Sequence, residues 1–412
     1  MTWIGWSAAR VLAAALLAGS PFTADAVAAQ AVAPSSLAPL PPMRTYEVIV
    51  GAEAVDKMQV VRFGPDGARV SRERVIGRNA VDPDGPHGVG VSPDGRTYFV
   101  STAHGVPNGT LWKLDTESDK VLAQVDLGAF PATLQVSTDG EFAWVVNFNL
   151  HGDMVPSSVS VVGTRDMVEL TRIPTCTMPH GSRLSPDGTH HWSVCMMDDL
   201  LVDIDAGRFE VARHFSLGKG SEMGMSGPPP QRGAAVSADH AGHGMEPPKP
   251  GDVSCSPTWA QPSRDGRTVW VACNRASELV EIDVASWTMR RRLPTGAGSY
   301  NLATTHDGRL LIGTNKRGQS VSIHDAATGA ELARIPTSRR IPSGLVVSPD
   351  DRYLFVTCEG VGSEPGAVDI IDLATRTRVA SVDVGQMAGG IDVWRVLPAP
   401  VRDASNRSLR AP

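Results

Sequence analysis

Charged and aromatic side chains are both scarce in this chain of 412 residues. Charged residues make up 20% of it and aromatic residues 5%, and the formal net charge is −6. Proteins that bind nucleic acid through its phosphates carry a basic surface, so this acidic balance excludes nucleic acid as a bulk electrostatic partner. Hydrophobic residues reach 42%, which is too many for a disordered chain and enough for a folded core.

Several motifs that mark enzymes and carriers are also missing. The sequence has no glycine-rich phosphate loop, no Gly-x-Ser-x-Gly nucleophile elbow and no Cys-x-x-Cys-His site for haem attachment. What it does contain is 41 glycines and 31 prolines, a composition typical of a turn-rich all-β protein.

The N-terminus has the pattern of an export signal. Arg10 precedes a short apolar segment, residues 11–18, and the small residues 26–28 offer a cleavage site. That segment is too short to cross a bilayer, so we expect no membrane span once the signal has been removed. The sequence thus predicts a signal peptide at 1–29, a flexible mature tail at 30–43, and a periplasmic or secreted protein in which disulfides are permitted.

An internal repeat indicates the fold. A hairpin turn of the form Ser-Pro-Asp-Gly, flanked by two apolar strands, recurs at a spacing of about 45 residues, which is the spacing of four-stranded propeller blades. The copies are Ser92–Gly95, Ser137–Gly140, Ser185–Gly188, Ser263–Gly266, Thr305–Gly308 and Ser348–Asp351.

The two ends of the repeat region supply one more blade between them. Residues 46–76 read as three strands with no first strand before them, and residues 389–396 read as a first strand with none after it. Pairing them closes a ring and removes its exposed edges. The sequence predicts an all-β, seven-bladed β-propeller of four-stranded antiparallel blades over residues 44–396, closed by N- and C-terminal strands that share one blade. A C-terminal tail follows at 397–412.

The ends of the second strands carry a family resemblance, seen at Tyr98–Thr102, Trp144–Asn147 and Leu354–Cys358. They resemble the YVTN-repeat family of β-propellers, in particular YncE-like periplasmic and surface-layer proteins, over residues 45–396. The resemblance implies the propeller fold. Related propellers are binding modules, lactonases, or carriers of haem and copper centres, so the fold alone selects no function.

One face of the predicted ring collects histidines and cysteines. Because successive strands are antiparallel, the start of each first strand and the end of each second strand lie on the same face. His87 and His180 occupy equivalent strand starts, and Cys195 lies at a strand end opposite His180. We expect these three residues to form a fixed metal station near the channel mouth.

All five cysteines lie on that face, which leaves a second interpretation open. In an exported protein, Cys176 with Cys255, or Cys195 with Cys273, would form disulfides that brace neighbouring blades, and one thiol would remain. Geometry decides between these pairings and the metal ligands.

A longer interval between the third and fourth hairpins contains an insertion at 219–251. It is rich in Gly and Pro and is predicted to be a flexible loop between blades 4 and 5. Thioether and imidazole ligands together favour copper, with zinc next; the alternative is a plain linker. The predicted ligands of this loop are Met223, Met225, His240, His243 and Met245.

Two groups of carboxylates are predicted to serve no chemistry. Asp115, Asp283 and Asp325 each end a third strand, where an aspartate caps the following turn. Asp198 and Asp199 are adjacent in a loop and are predicted to be solvated.

These observations predict an exported, monomeric YncE-like binding propeller that handles copper on one face, with a metal ion or small ligand as its partner there. One alternative is an enzyme at the channel mouth, either a copper-dependent oxidoreductase or a lactonase-like hydrolase. Another is a metal-free scaffold for a protein partner. An enzyme would require convergent histidines and carboxylates with perturbed pKa values.

Overall fold

Seven antiparallel sheets surround a central channel in the computed structural model, which describes residues 42–78, 82–104, 108–230 and 254–398. The first strand of every sheet is innermost. These inner strands contact one another in a closed cycle, so that the last sheet returns to the first. The predicted seven-bladed propeller is confirmed.

The strands of each blade are given from the channel outward. Blade 1 consists of β29 (Ala388–Leu397), β1 (Thr45–Ala52), β2 (Lys57–Gly64) and β3 (Gly67–Val75). Blade 2 consists of β4 (Pro86–Val91), β5 (Thr97–Thr102), β6 (Thr110–Asp115) and β7 (Val121–Asp126). Blade 3 consists of β8 (Pro131–Val136), β9 (Phe142–Asn147), β10 (Pro156–Gly163) and β11 (Val168–Thr177). Blade 4 consists of β12 (Pro179–Leu184), β13 (His190–Cys195), β14 (Leu200–Asp205), β15 (Glu210–Ser216) and β16 (Met223–Ser226).

The remaining blades follow the same order. Blade 5 consists of β17 (Pro257–Pro262), β18 (Thr268–Cys273), β19 (Glu278–Asp283) and β20 (Thr288–Pro294). Blade 6 consists of β21 (Ser299–Thr304), β22 (Leu310–Asn315), β23 (Ser320–Asp325) and β24 (Glu331–Pro336). Blade 7 consists of β25 (Pro342–Val347), β26 (Tyr353–Cys358), β27 (Gly366–Asp372) and β28 (Thr377–Val384). A short 3-10 turn, Glu53–Val55, follows β1.

Turn chemistry explains the repeated hairpins. Asp94 accepts hydrogen bonds from the Ser92 hydroxyl at 2.6 Å and the Arg96 N–H at 3.0 Å, and Gly95 takes the positive φ that the turn requires. The aspartates that end the third strands cap their turns as predicted; the carboxylates of Asp115 and Asp283, for example, each accept a serine N–H at 2.8 Å.

The closing blade is held by hydrogen bonding and by packing. Strand β1 lies between β2 and β29, with Val48 opposite both Val61 and Val393. Against blade 7, the ring of Tyr353 packs edge-on to Tyr46 and Phe63, with centroids 5.1 and 5.0 Å apart. Hydrogen bonding thus joins the two chain ends within blade 1, and aromatic packing joins blade 1 to blade 7.

The disulfide pairing differs from both predicted alternatives. Cys176 is joined to Cys195 and Cys255 to Cys273, so each bridge links the segment that leads into a blade with the second strand of that blade. Cys358 is the buried free thiol, and burial raises its pKa. The predicted bridges between neighbouring second strands or neighbouring blade starts are wrong.

The insertion after β15 contains a short strand near its start, where a flexible loop was predicted. Met223–Ser226 forms β16, a fifth strand that pairs with β15 and places Met225 opposite His214. An outermost strand needs only one hydrogen-bonding partner, and these four residues contain no proline, so the Gly/Pro-rich surroundings do not prevent it. Residues 231–253 of the insertion lie outside the described residues.

The prediction that Asp198 and Asp199 are solvated is also wrong. Asp199 is buried, and its carboxylate accepts the N–H groups of Ser254 at 2.5 Å and Ser256 at 2.7 Å. Asp198 accepts the N–H of Thr177 at 2.7 Å. Both carboxylates fix the backbone that leads into an inner strand, which otherwise has unsatisfied donors. In the described part of the chain no helix has the length and apolar character needed to cross a membrane.

Candidate active site

One residue from each blade borders the channel where the inner strands begin. This set, which we call the inner ring, is the second residue of each inner strand: His87, Ala132, His180, Thr258, Tyr300, Ser343 and Gly389. The pairing register of every inner strand shifts at this position. Such a β-bulge re-aims a side chain. Five members of the inner ring line a small cavity in the channel: His87, His180, Tyr300, Ser343 and Gly389.

Glycine follows the inner-ring residue in several blades for a steric reason. A Cβ on Gly88 would lie 2.2 Å from the carbonyl oxygen of Ala132, and one on Gly181 would lie 2.3 Å from that of Thr258. Inner strands therefore approach backbone to backbone, and the repeated Pro-His-Gly sequence places a histidine beside an obligatory close contact.

A second set of residues lies just outside the inner ring. This loop ring is the first residue after the second strand of each blade: Glu53, Ala103, Phe148, Met196, Asn274, Lys316 and Glu359. Each donates its N–H to the carbonyl of the residue before the inner strand of its own blade, and that residue has a positive φ in every blade. Ile341, at φ 60°, is a β-branched example, and such strain is characteristic of functional sites.

A chain of contacts joins His180 to Lys316. The Nδ1 of His180 donates to the Thr258 carbonyl at 2.8 Å, so its Nε2 is free to accept the Tyr300 hydroxyl at 3.0 Å. The Nζ of Lys316 lies 3.8 Å from the centroid of the Tyr300 ring and 2.7 Å from Glu359 Oε1.

Burial and charge set the protonation states of this chain. Burial lowers the pKa of His180 to about 3, so the imidazole is neutral at pH 7. Burial also opposes the charge on Lys316, but the adjacent Tyr300 and Glu359 outweigh it and raise its pKa. The mouth thus presents an ammonium group beside a neutral phenol and a neutral imidazole.

A histidine–carboxylate pair forms the other side of the mouth. His104 Nε2 is 2.7 Å from Glu53 Oε1, and His104 Nδ1 is 3.3 Å from His151 Nε2. The hydrogen bond to Glu53 raises the pKa of His104. Burial opposes ionisation of Glu53, yet His87 and His104 lower its pKa overall.

His87 lies between the two groups. Its ring centroid is 6.4 Å from that of His180, and its buried Nδ1 has no partner among the described residues. Burial lowers its pKa, with Glu53 acting in the opposite direction, so the imidazole is neutral. It lines a cavity of about 50 Å³ together with His180, Tyr300 and Asn301, which is room for about one or two waters or one small functional group.

The predicted metal station is only partly assembled. His87 and His180 do meet, but the sulfur of Cys195 is bonded to Cys176 and is not a thiolate, so its assignment as a ligand is wrong. Met223 and Met225 lie on the outermost strand of blade 4, far from the inner ring. His240, His243 and Met245 lie outside the described residues. Within the described ranges, no three His, Cys, Asp or Glu side chains are grouped to hold a metal ion.

Sequence analysis missed Tyr300, Lys316, Glu53 and Glu359. A signal for them was present, because aligning the blades by their hairpin turns puts Tyr300 at the position of His87 and His180. The same alignment puts Lys316 and Glu359 at one position in blades 6 and 7. Glu53 holds that position in blade 1, directly after the second strand.

Comparisons with known proteins support the fold. The periplasmic gluconolactonase of Pseudomonas aeruginosa is 19% identical, with a TM-score of 0.62 over 86% of this chain and 100% of that one. Hydrazine synthase of Kuenenia stuttgartiensis is 21% identical, with a TM-score of 0.57 over 78% of this chain and 98% of that one. A protein of unknown function from Desulfotomaculum acetoxidans is 13% identical, with a TM-score of 0.62 over 84% of this chain and 98% of that one. No family model and no curated protein matches the chain.

Proposed function

We propose that this protein is an exported hydrolase that opens a small lactone at the mouth of its channel. The observation that carries the proposal is the neutral imidazole of His87, which lines the small cavity. The pair of Glu53 with His104 and the ammonium group of Lys316 both lie close enough to act electrostatically on this imidazole. Pairs of titratable groups whose surroundings push their pKa values apart are the usual basis of acid and base catalysis.

Each group has a role that its surroundings favour. Neutral His87 accepts a proton from water as the water oxygen adds to the lactone carbonyl carbon. The Lys316 ammonium stabilises the oxyanion that forms. When the ring C–O bond breaks, the leaving alkoxide takes a proton from His104, which Glu53 holds in its protonated form, and the product is a hydroxy acid.

A lactone is proposed as the substrate because one structural relative with this fold acts on a lactone. The Pseudomonas protein of the same fold is a gluconolactonase, and its likeness at 19% identity extends to the fold alone. The two disulfides of the present chain are compatible with an exported protein.

The direct test is hydrolysis of glucono-1,5-lactone by the mature protein, with the spontaneous rate subtracted. We expect Lys316→Met to reduce kcat by about a hundredfold, since loss of one oxyanion donor has that effect. Arg309→Gln removes one positive charge at an exposed hairpin turn and serves as the control. No acceleration by the wild-type protein, or an unchanged rate for Lys316→Met, would refute the proposal.

Copper binding is a second candidate, favoured by the geometry of β16. Met223 and Met225 are two residues apart on a strand, so both thioethers project from the same side. The Met223 side chain is 57% exposed, which suits a soft metal better than it suits packing. We expect Cu⁺ titration to show near-stoichiometric binding that the double variant Met223→Leu/Met225→Leu weakens. Equal affinity in the variant would remove β16 from any copper site, and absence of binding by the wild type would end the copper proposal.

A further inference from the structure

A second cavity opens at the opposite end of the channel, beside the hairpin turns. Its volume is about 430 Å³, within the range of small-molecule sites. We call it the turn-side chamber and define it by the polar residues Gln135, Arg183, Gln261, Arg264 and Asp392 among its lining. Arg183 also lines the small cavity below the mouth, so its side chain lies between the two spaces.

The guanidinium of Arg183 is a cation without an ion-pair partner in the described part of the chain. It lies 4.4 Å from the centroid of the Trp259 ring and donates one hydrogen bond, to the Ser182 carbonyl at 2.9 Å. Burial lowers its pKa to about 10, against the effect of Asp392. Arg183 is half-buried, so water solvates its charge less well than at the surface, and an anion bound beside it would neutralise that charge.

The same fold contains a matched case in which that neutralising group is present. Arg213 packs over the Trp287 ring at 4.0 Å, much as Arg183 packs over Trp259, but its Nε also donates to the buried carboxylate of Asp203 at 2.7 Å. Among the described residues, no carboxylate is bonded to Arg183 in this way.

Asp392 does not fill the gap. Its Oδ2 accepts the N–H of Val91 and its Oδ1 that of Val393, both at 2.8 Å, and no ion pair joins Asp392 to Arg183 among the described residues. Burial raises the pKa of Asp392, while Arg183 acts in the opposite direction.

Other groups in the chamber also offer donors. The Oε1 of Gln135 accepts the Leu184 N–H at 2.8 Å, which leaves its amide NH₂ without a partner in the described residues. Arg264 uses Nε to bond the Thr305 carbonyl at 3.1 Å, and its terminal nitrogens have no hydrogen bond within the described ranges. The chamber therefore has surplus donors and positive charge, and its missing component is an anion.

We propose that the turn-side chamber binds a small organic anion whose carboxylate is held by Arg183, with Gln135 and Arg264 as further donors. A carboxylate matches the planar fork of a guanidinium and forms two parallel hydrogen bonds to it. This site is at the other end of the channel from the proposed hydrolytic groups and does not depend on their activity.

The test is calorimetric titration with succinate, and with succinamide as its uncharged isostere. We expect the wild-type protein to bind succinate and not succinamide, and Arg183→Gln to weaken succinate binding by roughly tenfold or more because a charge-assisted pair is lost. Arg183→Lys retains the charge but not the planar fork of the guanidinium. Its affinity for succinate is expected to lie between those of the wild type and Arg183→Gln. Arg309→Gln is the matched control for net charge and is expected to bind as the wild type does.

Four outcomes would overturn the proposal. The first is no succinate binding by the wild type at about 20 mM, a concentration at which even a weak millimolar site would be detected. The second is equal succinate affinity in Arg183→Gln and the wild type, and the third is equal affinity of the wild type for succinamide and succinate. The fourth is Arg183-dependent binding of inorganic phosphate in place of succinate. Thermal unfolding of each variant without ligand tests whether misfolding is the cause of weaker succinate binding. Arg183→Gln loses the contact with the Trp259 ring and one hydrogen bond but no ion pair, so its melting temperature is expected to fall only slightly.

Discussion

At the scale of single residues, the contact between Tyr300 and His180 fixes two protons at once. The Thr258 carbonyl can only accept, so His180 carries its proton on Nδ1 and the Tyr300 hydroxyl must donate to Nε2. The hydroxyl oxygen of Tyr300 is then left as an acceptor toward the mouth, and Lys316 beside it supplies the donor. The Thr258 carbonyl thus determines which of the His180 and Tyr300 side chains donates and which accepts in the hydrogen bond between them.

Replacing Tyr300 by Phe tests this arrangement. The change leaves the buried His180 Nε2 without a donor, so we expect the free energy of unfolding to fall by about 1–3 kcal/mol and lactone hydrolysis to slow. Tyr98→Phe is the matched control, because the buried Tyr98 hydroxyl donates to Asp119 at 3.0 Å on blade 2. The control is expected to lose stability but not activity. Equal activity losses in both variants would mean that only stability had changed.

The pair of Glu53 and His104 predicts how stability depends on pH. Below the ordinary histidine pKa of 6.5, His104 is protonated in both folded and unfolded chains, and the pair stabilises fully. As the pH rises through 6.5 the unfolded chain releases its proton first, and the stabilisation is lost once the pH passes the raised pKa of the folded state.

Glu53→Gln removes this dependence. We expect the difference in unfolding free energy between pH 6 and pH 8.5 to shrink in the variant, and the NMR titration midpoint of His104 to move down toward 6.5. A midpoint that stays raised in Glu53→Gln would show that Glu53 is not the cause.

At the scale of strands and turns, the sequence predicts those features that residues close together in the chain determine. Alternating apolar residues, Ser-Pro-Asp-Gly turns and the aspartates after the third strands all act within a few residues, and they lead to the correct blades. The disulfides and the inner ring depend instead on the bulge at the start of each inner strand. In blade 4 the bulge pairs Pro179 with Cys195 and shifts His180 out of register, so counting from the hairpin centre puts His180 opposite Cys195 by mistake.

The two disulfides carry a prediction at this scale. They close segments with sequence separations of 19 and 18, and loops of that size contribute about 3 kcal/mol each. Cys176→Ser/Cys195→Ser is expected to lower the free energy of unfolding by about that amount in urea. Peptide mapping without reduction should link Cys255 only to Cys273. A bridge from Cys255 to Cys176 in the wild type would contradict the pairing.

At the scale of the whole molecule, ring closure depends on a strand from each end of the described propeller. Strand β29 pairs with β1 and contacts β4 and β25, so it joins three blades. The sequence predicts this closure because neither end forms a complete blade alone. It does not predict which side chains meet at the channel, since those come from different blades, as do His180 and Tyr300, which are 120 residues apart in the sequence.

Removing β29 tests the closure. A chain that ends before Ala388 is expected to expose the edge of β1 and to aggregate or unfold cooperatively at much lower denaturant concentration. A chain that ends at Pro398 keeps β29 and is the control. Similar unfolding midpoints in urea for the two chains would show that the ring does not need the strand.

The two rings of residues at the mouth also make the protein a template for new chemistry. Every blade holds one inner-ring and one loop-ring residue on the same bulged scaffold. The backbone hydrogen bond that anchors the loop-ring residue is the same in all seven blades, whatever the side chain. A Cβ added at Gly389 would meet nothing closer than 3.9 Å. A functional group can therefore be added at Gly389, which would change the chemistry of the channel without redesigning the ring.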